Sequence, residues 1–183
     1  MSKTPTLFIF AGVNGAGKST LSAKIINQGL EIVNPDVIAA MEKISMIQAG
    51  KKALKQRENL LKLGKSFAIE TTLTGKGEIN FIRKAKDAEF KICIFYIIIK
   101  EVLQSKNRVA LRVAQGGHFV PTKDINRRFN RSLDNLKNVL DITDKAYIID
   151  NSMKNRKLLA KYSEDTVVLS RVIPNWIKKY LII

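Results

Sequence analysis

The chain has one cysteine, one histidine and one tryptophan among 183 residues. The lone cysteine, Cys93, excludes an internal disulfide and any multi-cysteine metal site. It lies in the apolar run Phe90 to Ile99 and is expected to be a buried, inert thiol. One histidine, His118, cannot build a metal centre, and a structural hydrogen bond is its expected use. No apolar run reaches the roughly 18 residues of a membrane helix; the run at Phe90 has the length of a buried strand. The N-terminus lacks the basic, apolar and small-residue order of a secretory signal. There is no internal repeat and no low-complexity linker. A cytoplasmic protein with no membrane association is predicted.

Acids are also scarce. Sixteen Asp and Glu face 32 Lys and Arg, giving a formal charge of +16 and a pI near 10.0. Such a field attracts polyanions. Nucleic acid, nucleotides, nucleotide sugars and an acidic protein partner all qualify. Lysine-rich helix faces that only keep the chain soluble would give the same number. No interleaved basic and aromatic pattern appears outside the strands, which weighs against nucleic acid.

What is present is a regular alternation of strands and helices, with 45% hydrophobic residues to build one core. Strands are predicted at Thr6 to Ala11, Glu31 to Val33, Ser66 to Thr71, Phe90 to Ile99 and Lys145 to Asp150. A helix follows Lys18, with Gly29 placed to end it. Asn34-Pro35-Asp36 opens another, proline being tolerated in a first turn. Two helices are expected from there to Leu63, breaking near Ser45 to Gly50, and a crossover helix over 77–88. Leu158 to Tyr162 and Thr166 to Ser170 suggest a hairpin, with a short helix around Trp176. The pattern predicts an α/β fold: a mostly parallel sheet of five or more strands, flanked by helices. One domain is expected over 1–183, with a basic helical lid at about 104–140. Ligands of such sheets bind beyond the carboxyl ends of the strands, where Gly12, Asn34, Thr71 and Asn151 converge.

The strongest signal is Gly12-Val13-Asn14-Gly15-Ala16-Gly17-Lys18-Ser19, a match to G-x-x-x-x-G-K-[ST] between a strand and a helix. Glycines let the backbone curl so that N–H groups face phosphate oxygens. The following helix turns its positive end to the same anion. Lys18 can reach the β- and γ-phosphates, and the Ser19 hydroxyl can ligate Mg²⁺. The expected nucleotide site is Gly12 to Ser19 with the adjoining Thr20, and the expected cofactors are ATP or GTP with Mg²⁺.

A P-loop alone does not name a reaction. Asp36 can take a proton from an acceptor hydroxyl, hold Mg²⁺ through water, or simply cap its helix. Glu70 ends a buried run and either serves the site or emerges into solvent, with Thr71 and Thr72 adding hydroxyls at the same edge. Arg108 and Arg112 share a helix face, and Arg127, Arg128 and Arg131 follow Pro121. Arginines closing over a phosphoryl group stabilise its charge in flight. Gly116-Gly117 would be the hinge of that lid; two solvated basic helices are the plainer alternative. Asp150-Asn151-Ser152 either meets the nucleotide base or is a turn.

Taken in order, these residues resemble the small bacterial branch of the zeta-toxin-like P-loop kinases. The resemblance rests on Gly12–Ser19, Asn34-Pro35-Asp36, Ile69-Glu70-Thr71-Thr72-Leu73, Arg108-Val109, Arg112-Val113, Gly116-Gly117-His118, Val120-Pro121, Arg128, Ser132-Leu133, Asn135-Leu136 and Asp150-Asn151-Ser152. It covers roughly Leu7 to Ser152. It implies a kinase acting on a small-molecule hydroxyl, such as that of UDP-N-acetylglucosamine, and an antitoxin as a separate protein partner. By the same resemblance Lys18 holds ATP phosphates and Asp36 is the general base. Glu70 and Thr72 face the acceptor, and Arg112 or Arg108 stabilises the moving phosphate. The family's second lid arginine is replaced by the neighbourhood of His118, so that role falls to His118 or Arg128. Two other functions stay open: a nucleic-acid kinase or nucleic-acid-binding ATPase, and an NTP-binding switch with little turnover.

Overall fold

A computed structural model describes residues 4–25, 29–117, 119–164 and 166–181. The strands are β1 (Thr6–Gly12), β2 (Ile32–Val33), β3 (Phe67–Thr71), β4 (Lys91–Ile98), β5 (Lys145–Asp150), β6 (Lys157–Ser163) and β7 (Thr166–Leu169). The helices are α1 (Lys18–Ile25), α2 (Pro35–Glu42), α3 (Met46–Lys62), α4 (Lys76–Asp87), α5 (Val102–Ala114), α6 (Thr122–Leu140) and α7 (Asn175–Lys178).

The strands form one seven-stranded sheet in the order β2-β3-β1-β4-β5-β6-β7. The first five are parallel, and the β6–β7 hairpin adds two antiparallel strands at one edge. The near-continuous apolar runs of β1, β3 and β4 follow from this, because central parallel strands are covered on both faces. Leu7, Ile9, Phe67, Ile69, Ile92 and Ile94 are all buried. Phe10, Phe95 and Tyr147 stack across β1, β4 and β5, with ring centroids 5.1 and 4.9 Å apart. Cys93 is buried, and burial pushes its thiol up to about 11, so the thiolate is disfavoured. No helix among the described residues is long and apolar enough to cross a membrane.

The break after α2 falls earlier than expected. Lys43 adopts the left-handed conformation that ends α2, and Ser45 caps α3 in a reciprocal capping box with Gln48. Gly50 therefore lies inside α3. Helix α6 joins two cores. Its Phe129, Leu133, Leu136, Val139 and Leu140 belong to the main core. Its Ile125 packs instead with Val109 and Val120 in a small separate cluster.

Candidate active site

The carboxyl end of β1 passes directly into the phosphate loop. Gly12 has φ +138°, and a Cβ there would sit 2.1 Å from the Ile97 carbonyl oxygen of β4. Only glycine lets the loop leave the sheet at this point. The loop carbonyls are then bound one after another. Lys18 Nζ donates to Gly12 O (2.9 Å) and Val13 O (3.1 Å). Ser105 Oγ donates to Asn14 O (2.6 Å), and Arg108 Nη1 to Gly15 O (3.4 Å). Asn151 Nδ2 donates to Ala16 O (2.7 Å), and Arg156 Nη2 to Gly17 O (3.4 Å). A trans peptide points each following N–H the opposite way. The loop thus presents an arc of amides, the arrangement that binds phosphate.

Lys18 is half-buried, with its ammonium folded beneath the loop. Burial lowers its pKa to about 8, while Glu70 and Asp36 act in the opposite direction and Arg112 adds to the lowering.

Glu70 is the polar hub of the site. It is 8% exposed at the end of β3, so it does not emerge into solvent. Its Oε2 accepts from Ser19 Oγ (2.7 Å) and Asn34 Nδ2 (2.9 Å), and its Oε1 from Ser22 Oγ (2.6 Å). One carboxylate thereby ties the phosphate loop, helix α1 and the start of α2 together. Asn34, not Asp36, caps α2: its side chain accepts from the Asp36 N–H at 2.9 Å. Asp36 is exposed in the first turn and faces the cavity.

That cavity, of about 810 Å³, opens beyond the strand ends. Lys18, Ser19, Thr20, Asp36, Glu70, Thr72, Arg108, Arg112 and Arg128 all line it. The sequence-derived residues of donor, acceptor and lid therefore meet in one place. Thr72 Oγ1 lies 3.1 Å from Thr74 Oγ1. Arg108 is already docked on the loop and also donates to Asn151 O at 2.8 Å. Asn151 supports the loop through Ala16. His118 lies outside the described residues. Among the described residues no cluster of three His, Cys, Asp or Glu could hold a metal.

Gly116 and Gly117 do a different job from the hinge expected of them. Gly116 has φ +85°, its N–H donates to Val113 O (3.0 Å), and the Gly117 N–H donates to Arg112 O (2.9 Å). These two bonds are the Schellman ending of α5. A Cβ on Gly117 would lie 2.6 Å from Arg112 Cγ. The pair therefore fixes the turn that carries Arg112.

Ser22, Ser105, Arg156 and Arg57 were missed from sequence. Arg156 braces the loop from the segment after β5. Arg57 of α3 lines the cavity yet is 5% exposed. Burial pulls its guanidinium below the ordinary value, and Glu78 opposes this. The available signal was its place on the Ala49, Ala53, Leu60 stripe that α3 buries.

No family model matches the chain. A protein of Haemophilus influenzae (strain ATCC 51907 / DSM 11121 / KW20 / Rd), described as an uncharacterized protein, is 30% identical over 125 residues, 66% of this chain and 89% of that one. The fold matches a chain of the AvrRxo1-ORF1:-ORF2 complex solved with ATP, at TM-score 0.74 and 19% identity. That match covers 91% of this chain but 60% of the other, so this chain spans well under two thirds of it. A chain of the PezAT chromosomal toxin-antitoxin system of Streptococcus pneumoniae matches at TM-score 0.64 and 20% identity, covering 87% and 72%. The chain therefore belongs to one family with the Haemophilus influenzae protein and shares the α/β P-loop fold of the AvrRxo1-ORF1:-ORF2 and PezAT chains.

Proposed function

We propose that this protein is a P-loop kinase that transfers the γ-phosphate of ATP to a hydroxyl of a small, anionic acceptor. One observation carries the reading: a single cavity holds the phosphate loop, Asp36 and arginines from both α5 and α6. A binding switch needs the loop but not an exposed carboxylate facing it across an arginine-lined space.

In this reading the loop amides and Lys18 grip the β- and γ-phosphates. Asp36 is the general base: it accepts the proton of the attacking hydroxyl. Arg112 meets the charge that spreads over the transferring group. Arg108 holds the loop and α5 together so that Arg112 is presented at a fixed distance from it. Arg128 and Thr72 contact the acceptor. The donor set also fits Mg²⁺, which favours one or two hard oxygen ligands alongside substrate phosphates. Ser19 Oγ would be its direct ligand and Glu70 would orient that hydroxyl and add negative charge. Bound there, Mg²⁺ neutralises charge on the phosphates.

A UDP-amino-sugar such as UDP-N-acetylglucosamine is the first acceptor to try, and an antitoxin-like protein is the partner to seek. The neighbours that come from a toxin-antitoxin system and from a two-component complex support that search. The test is a transfer assay with labelled ATP against nucleotide sugars, nucleosides, antibiotics and oligonucleotides. Transfer to a small molecule that disappears in Lys18→Ala, with folding intact, supports the proposal. Transfer that persists in Lys18→Ala, or hydrolysis stimulated only by oligonucleotides at near-physiological salt, overturns it.

A further inference from the structure

The roles above leave the α3 wall of the cavity unexplained, and Arg57 is its centre. Arginine carries five N–H donors in a fixed fork. Among the described residues Arg57 Nε has no hydrogen-bond partner, and Nη2 reaches only the Glu70 carbonyl, at 3.5 Å. Glu78 is the carboxylate that most influences it, but Glu78 is otherwise engaged. Its Oε1 accepts from Thr71 Oγ1, and its Oε2 accepts from the N–H groups of Thr74 (3.0 Å) and Gly75 (2.8 Å). No ion pair joins Arg57 to any acid among the described residues. A buried guanidinium with so little compensation is costly to fold. An unsatisfied buried group of this kind needs a reason, and a ligand that completes it is one.

The surroundings say what kind of ligand. Ala53 and Gly50 lie one turn and two turns before Arg57 on the cavity side of α3, with Leu54 beside them. A Cβ on Gly50 would meet nothing within 4 Å, so the small residues leave a shelf rather than fill it. Across the cavity α6 adds Arg128 and Arg131. In the kinase reading the donor phosphates are already served by the loop amides, Lys18 and Arg112.

We infer that Arg57 anchors a phosphate or phosphoanhydride group of the acceptor, with the Gly50–Ala53 shelf seating the part of the acceptor next to that group. Arg57 is then a specificity-determining residue, separate from the transfer chemistry: it decides which molecules enter and which hydroxyl is brought to Asp36. Cationic acceptors are excluded by the same charge. The inference rests on the kinase reading above.

The test separates the two. The full-length protein is first saturated with Mg²⁺ and a non-hydrolysable ATP analogue, then titrated calorimetrically with inorganic pyrophosphate. The parent is expected to bind pyrophosphate with the donor site filled. Arg57→Gln is expected to lose roughly tenfold or more of that affinity, the scale of a hydrogen bond to a charged group, while analogue affinity stays within about twofold. Arg57→Lys, which keeps the charge but not the fork, is expected to fall between them. Should the glutamine variant melt early, Arg57→Met carries the comparison, since it removes the charge without a buried amide. Unchanged pyrophosphate affinity in these variants overturns the Arg57 inference alone. Equal loss of analogue affinity also overturns it, by placing Arg57 in the donor site. A parent that binds no analogue overturns the kinase reading and this inference with it.

Discussion

Replacing Glu70 by Gln tests the polar hub with little change of shape. The carboxylate accepts three bonds and donates none. An amide must donate from one side. Asn34 Nδ2 cannot accept, and Asn34 cannot turn its side chain over, because Asn34 Oδ1 already accepts from the Asp36 N–H. The new carbonyl must therefore take the Oε2 position, facing Asn34 and Ser19. Its NH₂ then faces Ser22 Oγ, which can accept once its own proton turns from the carboxylate to Ser19 O, 3.1 Å away. All three partners stay satisfied. What is lost is charge assistance, about 1 kcal/mol for each of three bonds, offset by no longer burying a charge. Net destabilisation of about 1–2 kcal/mol is expected. Glu70→Ala instead strands Asn34 Nδ2, leaves Ser22 Oγ only its longer bond to Ser19 O, and should cost about 3–5 kcal/mol. Function should move in the reverse proportion. With a neutral residue behind Ser19, Glu70→Gln should need more Mg²⁺ and turn over 10–100-fold more slowly, the usual scale for a group that orients a metal ligand. Thermal melts together with Mg²⁺ titrations of ATP turnover measure both. A glutamine variant with parental turnover and parental Mg²⁺ dependence would refute the reasoning.

Asp36→Asn should lower turnover about 100-fold or more with a near-normal melting temperature, whereas Asn34→Ala should cost about 1 kcal/mol of stability as the true cap of α2; near-parental turnover for Asp36→Asn on the acceptor would remove Asp36 as the base. Lys18 titrates near pH 8 in the folded chain and at its ordinary 10.5 when unfolded. The unfolded state therefore binds more protons between those values, and this group's contribution to stability rises with pH across that window. ATP phosphates favour the ammonium, so nucleotide binding near pH 8 should take up protons, seen as buffer-dependent calorimetric heats that vanish in Lys18→Met. Gly117→Ala pushes a methyl against Arg112 and should lower kcat, with a smaller effect in an Arg112→Ala background where Cγ is gone, as expected for coupled neighbours.

The donor half of the site was legible because its chemistry is written in consecutive residues. Gly12 to Ser19 needs no tertiary information beyond a strand before it and a helix after it. The mostly parallel sheet around it followed from strands alternating with helices; the order of the strands did not. The acceptor half was legible in its members but not in their duties. Glu70 was expected to face the acceptor; it lines the cavity, and its carboxylate also binds Ser19, Ser22 and Asn34, because β3 lies directly beside β1 with Phe10 opposite Glu70. That adjacency is a property of the sheet, not of the segment. Arg57 was hidden among six Lys and Arg residues of 51–65; only its burial sets it apart, and charge counts do not reveal burial. The Gly116-Gly117 pair looked like a hinge because glycine permits motion. Its hydrogen bonds to Val113 and Arg112 make it the ending of α5.

The small cluster of Val109, Val120 and Ile125 has a consequence for how such a protein changes over generations. These side chains pack with one another and reach the main core through Val102, so substitutions among them, and of Arg128, lie one step removed from the residues of the sheet. In the proposed reading, selection can retune which molecules the cavity admits by editing this outer segment, as long as Arg108 keeps its bonds to Gly15 and Asn151. The limit to that freedom is α6, whose later turns are rooted in the main core, so new variants inherit its direction even when they replace its tip.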